Sequence, residues 1–347
     1  MSDWLSLLIT IVIAAIGSDI GSRLKLPAGA LLGAIFSVGG YQLLTGNAWC
    51  PDELKFVSTA ITGAVLGAKV TRADIRSLSK IPFAAATMLI GMFSYNFICC
   101  FVLTQAAGLD PVTGILSTAP GGLTEMSLAA LDLSPDPATV SSIQVVRLVT
   151  VALITPMLLK FILKHWKHEK SIPSPAEEEA RKPKDKSRKA ALITLVIGLA
   201  AGWVGDVSGL PAGTLCVAMV ACVVYNLRSE KSYLPDWLRR AAQCANGAII
   251  GARLLIDNLI LLRDIFLIVF VLTLGWIALN LILGWILHRY GGLSPETSLF
   301  ATAAGGMSDM GLISAELGGN PAQVSVLQMC RVIFVIALCP TIATLLG

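Results

Sequence analysis

Apolar residues in this chain run in long unbroken blocks, with polar residues gathered between them. The blocks cover residues 4–22, 27–45, 81–104, 138–160, 190–205, 211–227, 265–287 and 322–346. Most approach or exceed the roughly 20 residues that carry a helix across about 30 Å of hydrocarbon. Two shorter blocks rich in Gly and Ala, 56–70 and 241–255, complete two sets of five. The first block has Asp3 ahead of it and its basic residues, Arg23 and Lys25, behind it. This order predicts a retained first transmembrane helix rather than a cleaved leader.

The two sets are copies. Leu26-Pro27-Ala28-Gly29 returns as Leu210-Pro211-Ala212-Gly213, and 211 − 27 = 184. Pro120-Gly121-Gly122-Leu123-Thr124-Glu125-Met126 returns as Ala304-Gly305-Gly306-Met307-Ser308-Asp309-Met310, and 309 − 125 = 184. Gln144, Arg147 and Pro156 become Gln328, Arg331 and Pro340 at the same offset. A duplicated apolar chain with a Gly-Gly break and charges at matching places has the layout expected of a secondary carrier.

Segment 112–131 is two short apolar pieces divided by Pro120-Gly121-Gly122. Proline removes a backbone donor and glycine widens the allowed dihedrals, so a helix breaks there. Loop charge bears on whether the segment crosses or returns as a hairpin. If it returns, each half has five crossings and the second half is upside down. With the linker placed in the cytoplasm, Arg23, Lys25, Lys69, Arg72, Arg76 and Lys80 fall inside, as do Arg228, Lys231, Arg239, Arg240 and Arg289. Only Lys55, Arg253 and Arg263 remain outside. If the segment crosses, Arg72, Arg76 and Lys80 move outside, against the positive-inside rule. The expectation is therefore an all-α integral membrane protein of two inverted repeats, 1–163 and 190–347, joined by a basic cytoplasmic linker, 164–189. Each repeat has five transmembrane helices and a Gly-Gly-broken re-entrant hairpin. The chain would sit in a bacterial inner membrane with both termini periplasmic.

Composition agrees. The chain is 55% hydrophobic and 14% charged, against about 25% charged in soluble domains. The net charge of +4 is concentrated in loops and linker, which indicates a lipid bilayer rather than nucleic acid as the partner. The eight cysteines form no C-x-x-C pair and sit mainly in apolar runs, as small buried hydrophobes do. His165, His168 and His288 have no metal-ligand spacing. Neither a metal nor an organic cofactor is expected, and an enzyme such as a monooxygenase is disfavoured.

At the two Gly-Gly motifs the chain resembles the bacterial AbrB-type membrane proteins, which carry this duplicated domain over essentially their whole length. Members of that family have been called regulators of gene expression and ammonia monooxygenases, so the resemblance implies a fold more than an activity. The architecture is more distantly similar to that of the glutamate–sodium and citrate–sodium symporters, in which two opposed hairpins meet at the substrate and one domain moves like an elevator. The soluble DNA-binding regulator of the same name is a different protein, and its β-strand pattern is absent from this sequence.

The candidate chemistry lies at the breaks. Gly121, Gly122, Gly305 and Gly306 leave backbone amides at membrane depth, where they must be buried in protein or line a wet cavity. A helix starts after each pair, and its N-terminal end attracts anions. Glu125 and Asp309 fall in the first turns of those helices. They either complement the helix dipole or hold a coupling ion, since carboxylates inside a membrane are costly and usually functional. Thr124 and Ser308 can cap a helix or lend an oxygen to sodium. Arg147 and Arg331 lie inside the last helix of each half, with Gln144 and Gln328 on the same face. Each arginine can pair with a carboxylate or grip an anionic substrate bidentately. Lys69 and Arg253 are read as helix-end charges, and Asp19 with Arg23 as an interfacial ion pair. The function expected is transport of a small anionic solute by alternating access, coupled to protons or sodium, by a homodimer built on helices within 4–45 and 190–227. The alternative is a membrane sensor acting on gene expression through the linker.

Overall fold

A computed structural model describes residues 3–24, 28–79, 81–133, 136–164, 187–210, 212–303, 314 and 319–346. Gly305, Gly306, Ser308 and Asp309 lie outside the described residues, as do linker residues 165–186. The described residues contain helices and connections but no strand. The first half holds α1 (Asp3–Arg23), α2 (Gly29–Thr45), α3 (Asp52–Ala68), α4 (Arg72–Leu78), α5 (Pro82–Ala107), α6 (Pro111–Thr118), α7 (Leu123–Leu133) and α8 (Pro137–Lys164). The second holds α9 (Arg188–Val207), α10 (Gly213–Ser229), α11 (Asp236–Ala252), α12 (Ile256–Gly291), α13 (Pro295–Thr302) and α14 (Pro321–Leu346).

The 184-residue repeat governs helix boundaries down to single residues. Ala28 and Ala212 both take the left-handed conformation, with φ of 51° and 48°. Alanine is strained there, yet the strain recurs because that turn brings the next backbone against the previous helix. A Cβ on Gly21 would lie 2.2 Å from the carbonyl oxygen of Gly29, and one on Gly205 2.2 Å from that of Gly213. Gly46 is answered by Glu230 and Gly108 by Gly292, again left-handed.

Among the described residues, the break between α4 and α5 is not repeated. α4 and α5 are separate in the first half, whereas their counterparts are fused into α12. Position 82 explains this. Pro82 begins α5 and has no N–H to continue a helix through it, and its counterpart is Phe266. The basic loop expected after α3 thus contains a short helix, capped by a reciprocal Thr71–Asp74 box.

The helices form two groups, each drawn from both halves. α1, α2 and α3 pack with α9, α10 and α11. Their contacts are backbone-close and made by small residues, as membrane helices use when there is no hydrophobic drive between them. A Cβ on Gly247 would meet Leu31 and Ala34, and one on Gly251 would meet Ile35, Val38 and Gly39. Gly63 lies against Leu215 and Ala218, and Gly67 against Met219 and Cys222. Contacts therefore advance in the same direction along α2 and α11, and along α3 and α10. Where the halves meet, Asn246 Nδ2 donates to Thr62 Oγ1 at 3.0 Å. These two are repeat counterparts, since 246 − 62 = 184.

The second group is α5 to α8 with α12 to α14. Five described helices, α1, α5, α9, α12 and α14, are long and apolar enough to cross a membrane. Large side chains such as Leu8, Ile90, Phe101, Trp203 and Leu267 remain exposed on them, as lipid contact requires. The architecture is that of an all-helical, multi-pass membrane protein.

Candidate functional site

The break between α6 and α7 is held by the last helix of its own half. Gln144 Nε2 donates to the carbonyls of Leu116 at 2.7 Å and Ala119 at 3.3 Å. Arg147 donates through Nη1 to Thr118 at 3.1 Å and to Ala119, and through Nη2 to Gly121 at 3.2 Å. Its Nη2 also donates to Gln144 Oε1 at 2.7 Å. Both side chains are buried. The orphan carbonyls at the end of α6 are thereby satisfied, and a cation faces the negative end of a helix.

The second half repeats the device. Gln328 Nε2 donates to Phe300 and Ala303 at 2.9 and 2.7 Å, and Arg331 Nη1 to Ala303 at 2.7 Å. Behind each break stands a buried Asn–Thr pair that the sequence reading did not single out. Thr118 Oγ1 donates to Asn96 Oδ1 at 2.8 Å, and Thr302 Oγ1 to Asn280 Oδ1 at 2.6 Å. Asn96 and Asn280 are 184 apart inside apolar runs, and that signal could have found them.

The same contacts give the course of the segment. α6 climbs along α8, with Leu116 beside Gln144 and Thr118 beside Arg147. α7 returns, for Ser141 Oγ donates to Ser127 Oγ at 2.9 Å.

Gly122 opens α7: Met126 N donates to its carbonyl at 3.0 Å. Glu125 folds back over it, so that a Cβ on Gly122 would lie 1.7 Å from Glu125 Oε2. The anion-attracting start of α7 is thus occupied by the chain's own carboxylate. Thr124 is buried beside it. Lys69 and Arg253 follow the last turns of α3 and α11 as expected, and Arg23 pairs with Asp19 at 2.8 Å on an exposed face.

Two cavities adjoin this region. One of about 180 Å³ lies where the α2–α3 connection meets the end of α11, lined by Trp49, Cys50, Lys55, Ile249 and Arg253 among others. Lys55 there also bridges to Asp132 at the end of α7, at 2.5 Å. The other, of about 10 Å³, lies between α5, α6, α8 and α12, lined by Ser117, Thr118, Arg147, Thr273 and Trp276 among others.

Sequence comparison places the chain. A family model described as AbrB, transition state regulatory protein AbrB, matches it twice, over residues 1–163 and 159–347. The chain is 28% identical over 356 residues to "Uncharacterized protein YhjN" of Bacillus subtilis (strain 168), covering 97% of this chain and 92% of that protein. It is also 28% identical over 341 residues to "Putative regulator AbrB" of Escherichia coli (strain K12), covering 92% and 90%.

Proposed function

The chain belongs to the AbrB family, and we propose that it is a secondary carrier that moves a small anionic solute across the bacterial inner membrane by alternating access, coupled to protons or sodium. The contact order along the helices supports an inverted repeat. α2 and α11 advance together and so do α3 and α10. The six residues between α2 and α3 reverse the chain, so α2 and its counterpart α10 point opposite ways. The return of α7 supports a re-entrant hairpin whose tip lies within the bilayer. A second hairpin would enter from the opposite face, the linker would be cytoplasmic and both termini periplasmic.

The grouping of helices supports a division of labour. α1–α3 and α9–α11, locked through glycine, make a frame suited to a homodimer contact. α5–α8 and α12–α14 make the body that would slide against it. The two meet at contacts such as Lys55–Asp132, which can be broken without unpacking either group.

The observation that carries the anion reading is Glu125 folded on Gly122 at the start of α7, where a helix N-terminus draws negative charge. A carboxylate there is a stand-in that an incoming anion can replace. The displaced Glu125 then becomes free to bind a proton or sodium, which would link solute to coupling ion. Uptake by proteoliposomes offered mono- and dicarboxylates, amino acids and sugars tests this. Selective uptake of an anion, changed in its pH or sodium dependence by Glu125→Gln, is expected. Selective uptake of a cation or a neutral sugar would refute it. A second reading, a membrane sensor of gene expression, draws on the printed name of the Escherichia coli relative. It gains if no solute moves while transcription still responds to deletion of the chain.

A further inference from the structure

The larger cavity, about 180 Å³, is bordered by one cation from each half: Lys55 near the start of α3 and Arg253 just past the last turn of α11. Their meeting follows from how the two helices pack. Thr62 and Asn246 are hydrogen-bonded to each other. Lys55 stands before Thr62 by 62 − 55 = 7, and Arg253 after Asn246 by 253 − 246 = 7, so α3 and α11 run antiparallel. The same step the other way reaches Lys69 and Arg239, the repeat counterparts of Arg253 and Lys55. Each end of the helix pair therefore carries one lysine and one arginine, exchanged between the ends. The dipole of its own helix favours a cation at position 69 or 253 but opposes one at 55 or 239. The duplication kept a positive pair that the helices themselves do not require, and the partner to look for is an anion.

The chain answers this charge only in part. Lys55 Nζ donates to Asp132 Oδ1 at 2.5 Å and to the Leu131 carbonyl at 3.4 Å, which leaves the third of its N–H donors. Among the described residues no carboxylate pairs with Arg253. Lys55, Arg253 and Asp132 together carry one positive charge, which a single negative charge balances. Trp49, Pro51 and Ile249 make other parts of the wall apolar. A cavity of about 150 Å³ takes up benzene, so this one accepts a guest of roughly six non-hydrogen atoms.

We propose that the cavity binds a short-chain monocarboxylate, its carboxylate between Lys55 and Arg253 and its hydrocarbon end against Trp49 and Ile249. Arg253 brings a planar fork and Lys55 a point charge. Asp132 belongs to the body that would slide and Lys55 to the frame, so an anion held beside that ion pair is taken up or released as the two groups part. The inference rests on the anion-carrier reading and narrows its solute to one class, with a docking place of its own.

Binding is measured by isothermal titration of the purified full chain in detergent. Butyrate binding without anion uptake by proteoliposomes would keep this site and sink the carrier reading, whereas anion uptake without butyrate binding would do the reverse. The probes are sodium butyrate, neutral butyramide, and glycerol 1-phosphate as a stand-in for a lipid headgroup, at constant ionic strength. Saturable binding is expected of butyrate alone. Arg253→Gln, at an exposed position that leaves the fold intact, should weaken it roughly tenfold or more, the loss of a hydrogen bond to a charged group. Asp132→Asn should tighten it by removing the negative charge that competes for Lys55, which a purely structural ion pair would not do. Arg263→Gln, an exposed cation paired with Asp264, should change nothing. Absent butyrate binding, equal binding of butyramide, preference for glycerol 1-phosphate, an affinity unmoved by Arg253→Gln, or one weakened by Asp132→Asn would overturn the proposal.

Discussion

Arg147 and Arg331 occupy one position in two copies, and their surroundings separate what the duplication kept from what it released. Kept is everything that holds the chain at the break. A glutamine and an arginine one turn apart reach the carbonyls that end a short helix, and an Asn–Thr pair stands behind them. Released is the far side of the guanidinium. In the first half it meets Ser117 and Trp276 around a void. In the second, the counterparts of Ser117 and Trp276 are Ala301 and Met92, both buried in an apolar cluster. Shared features answer to a shared need, which is to satisfy backbone groups where water is absent. On this reading the arginines are first of all braces.

The largest effect should come from removing the braces, and it should be the same in both halves. Arg147→Met leaves the carbonyls of Thr118, Ala119 and Gly121 unmatched, at roughly 1–3 kcal/mol each. Arg331→Met does the same at Ala303. Both variants should lose most of their monodisperse protein in size-exclusion profiles. Lysine should rescue neither, because one ammonium cannot span carbonyls placed for a planar fork. A stable Arg331→Met beside a collapsed Arg147→Met would break the equivalence.

Next in size is the contrast of filled and open space. Met92→Ala should destabilise by about 2–5 kcal/mol, the usual cost of emptying a packed site. Ser117→Ala should change stability little or favourably, since it removes a hydroxyl without a partner. Thermal melting of the pair checks this. Equal losses would mean that the first-half void is filled after all.

Smaller in stability, but sharp in function, is Gly122→Ala. The new Cβ would collide with Glu125 Oε2, the far end of a flexible side chain that can move away. The fold should therefore survive while Glu125 leaves the start of α7. Anion uptake should alter its pH or sodium dependence as it does in Glu125→Gln. An Ala variant indistinguishable from wild type in transport would return Glu125 to a purely capping role.

Much of this was legible in the sequence. The offset of 184 fixed which residues correspond, and Pro120-Gly121-Gly122 placed the break between α6 and α7. Long apolar blocks located the long helices to within a few residues, except α12, which begins nine residues before its block. The roles at the break were less legible. A buried arginine and a nearby glutamate suggest an ion pair when only spacing is known, and the carbonyl partners of Arg147 belong to a backbone folded back 26 to 29 residues away. Trp276 could not be foreseen, for it lines a cavity with Arg147 from the other half and nothing local in its apolar run distinguishes it. The glycine contacts were hidden similarly, because a small residue announces a close approach without naming what approaches. Gly305, Gly306, Ser308 and Asp309 stand outside the described residues, and in the second half the braces at the end of α13 are what is described.

The smallest expected effect tests a place where, among the described residues, backbone differs between the halves. Pro82 opens α5, while Phe266 sits inside the continuous α12. If proline alone imposes the break, Pro82→Ala should fuse α4 with α5. The stability cost should be only about 0.4–1 kcal/mol, because the substitution acts chiefly by freeing the unfolded chain. Spin labels report it. Positions 76 and 90 and their counterparts 260 and 274 are all exposed. In an unbroken helix, labels fourteen residues apart should sit about 21 Å apart along the axis. Wild type should show that value only for the second pair, and Pro82→Ala should show it for both. A first pair that keeps its wild-type distance would assign the break to the Thr71–Asp74 cap and the packing of α4 against α14. The halves would then differ by tertiary design rather than by one residue.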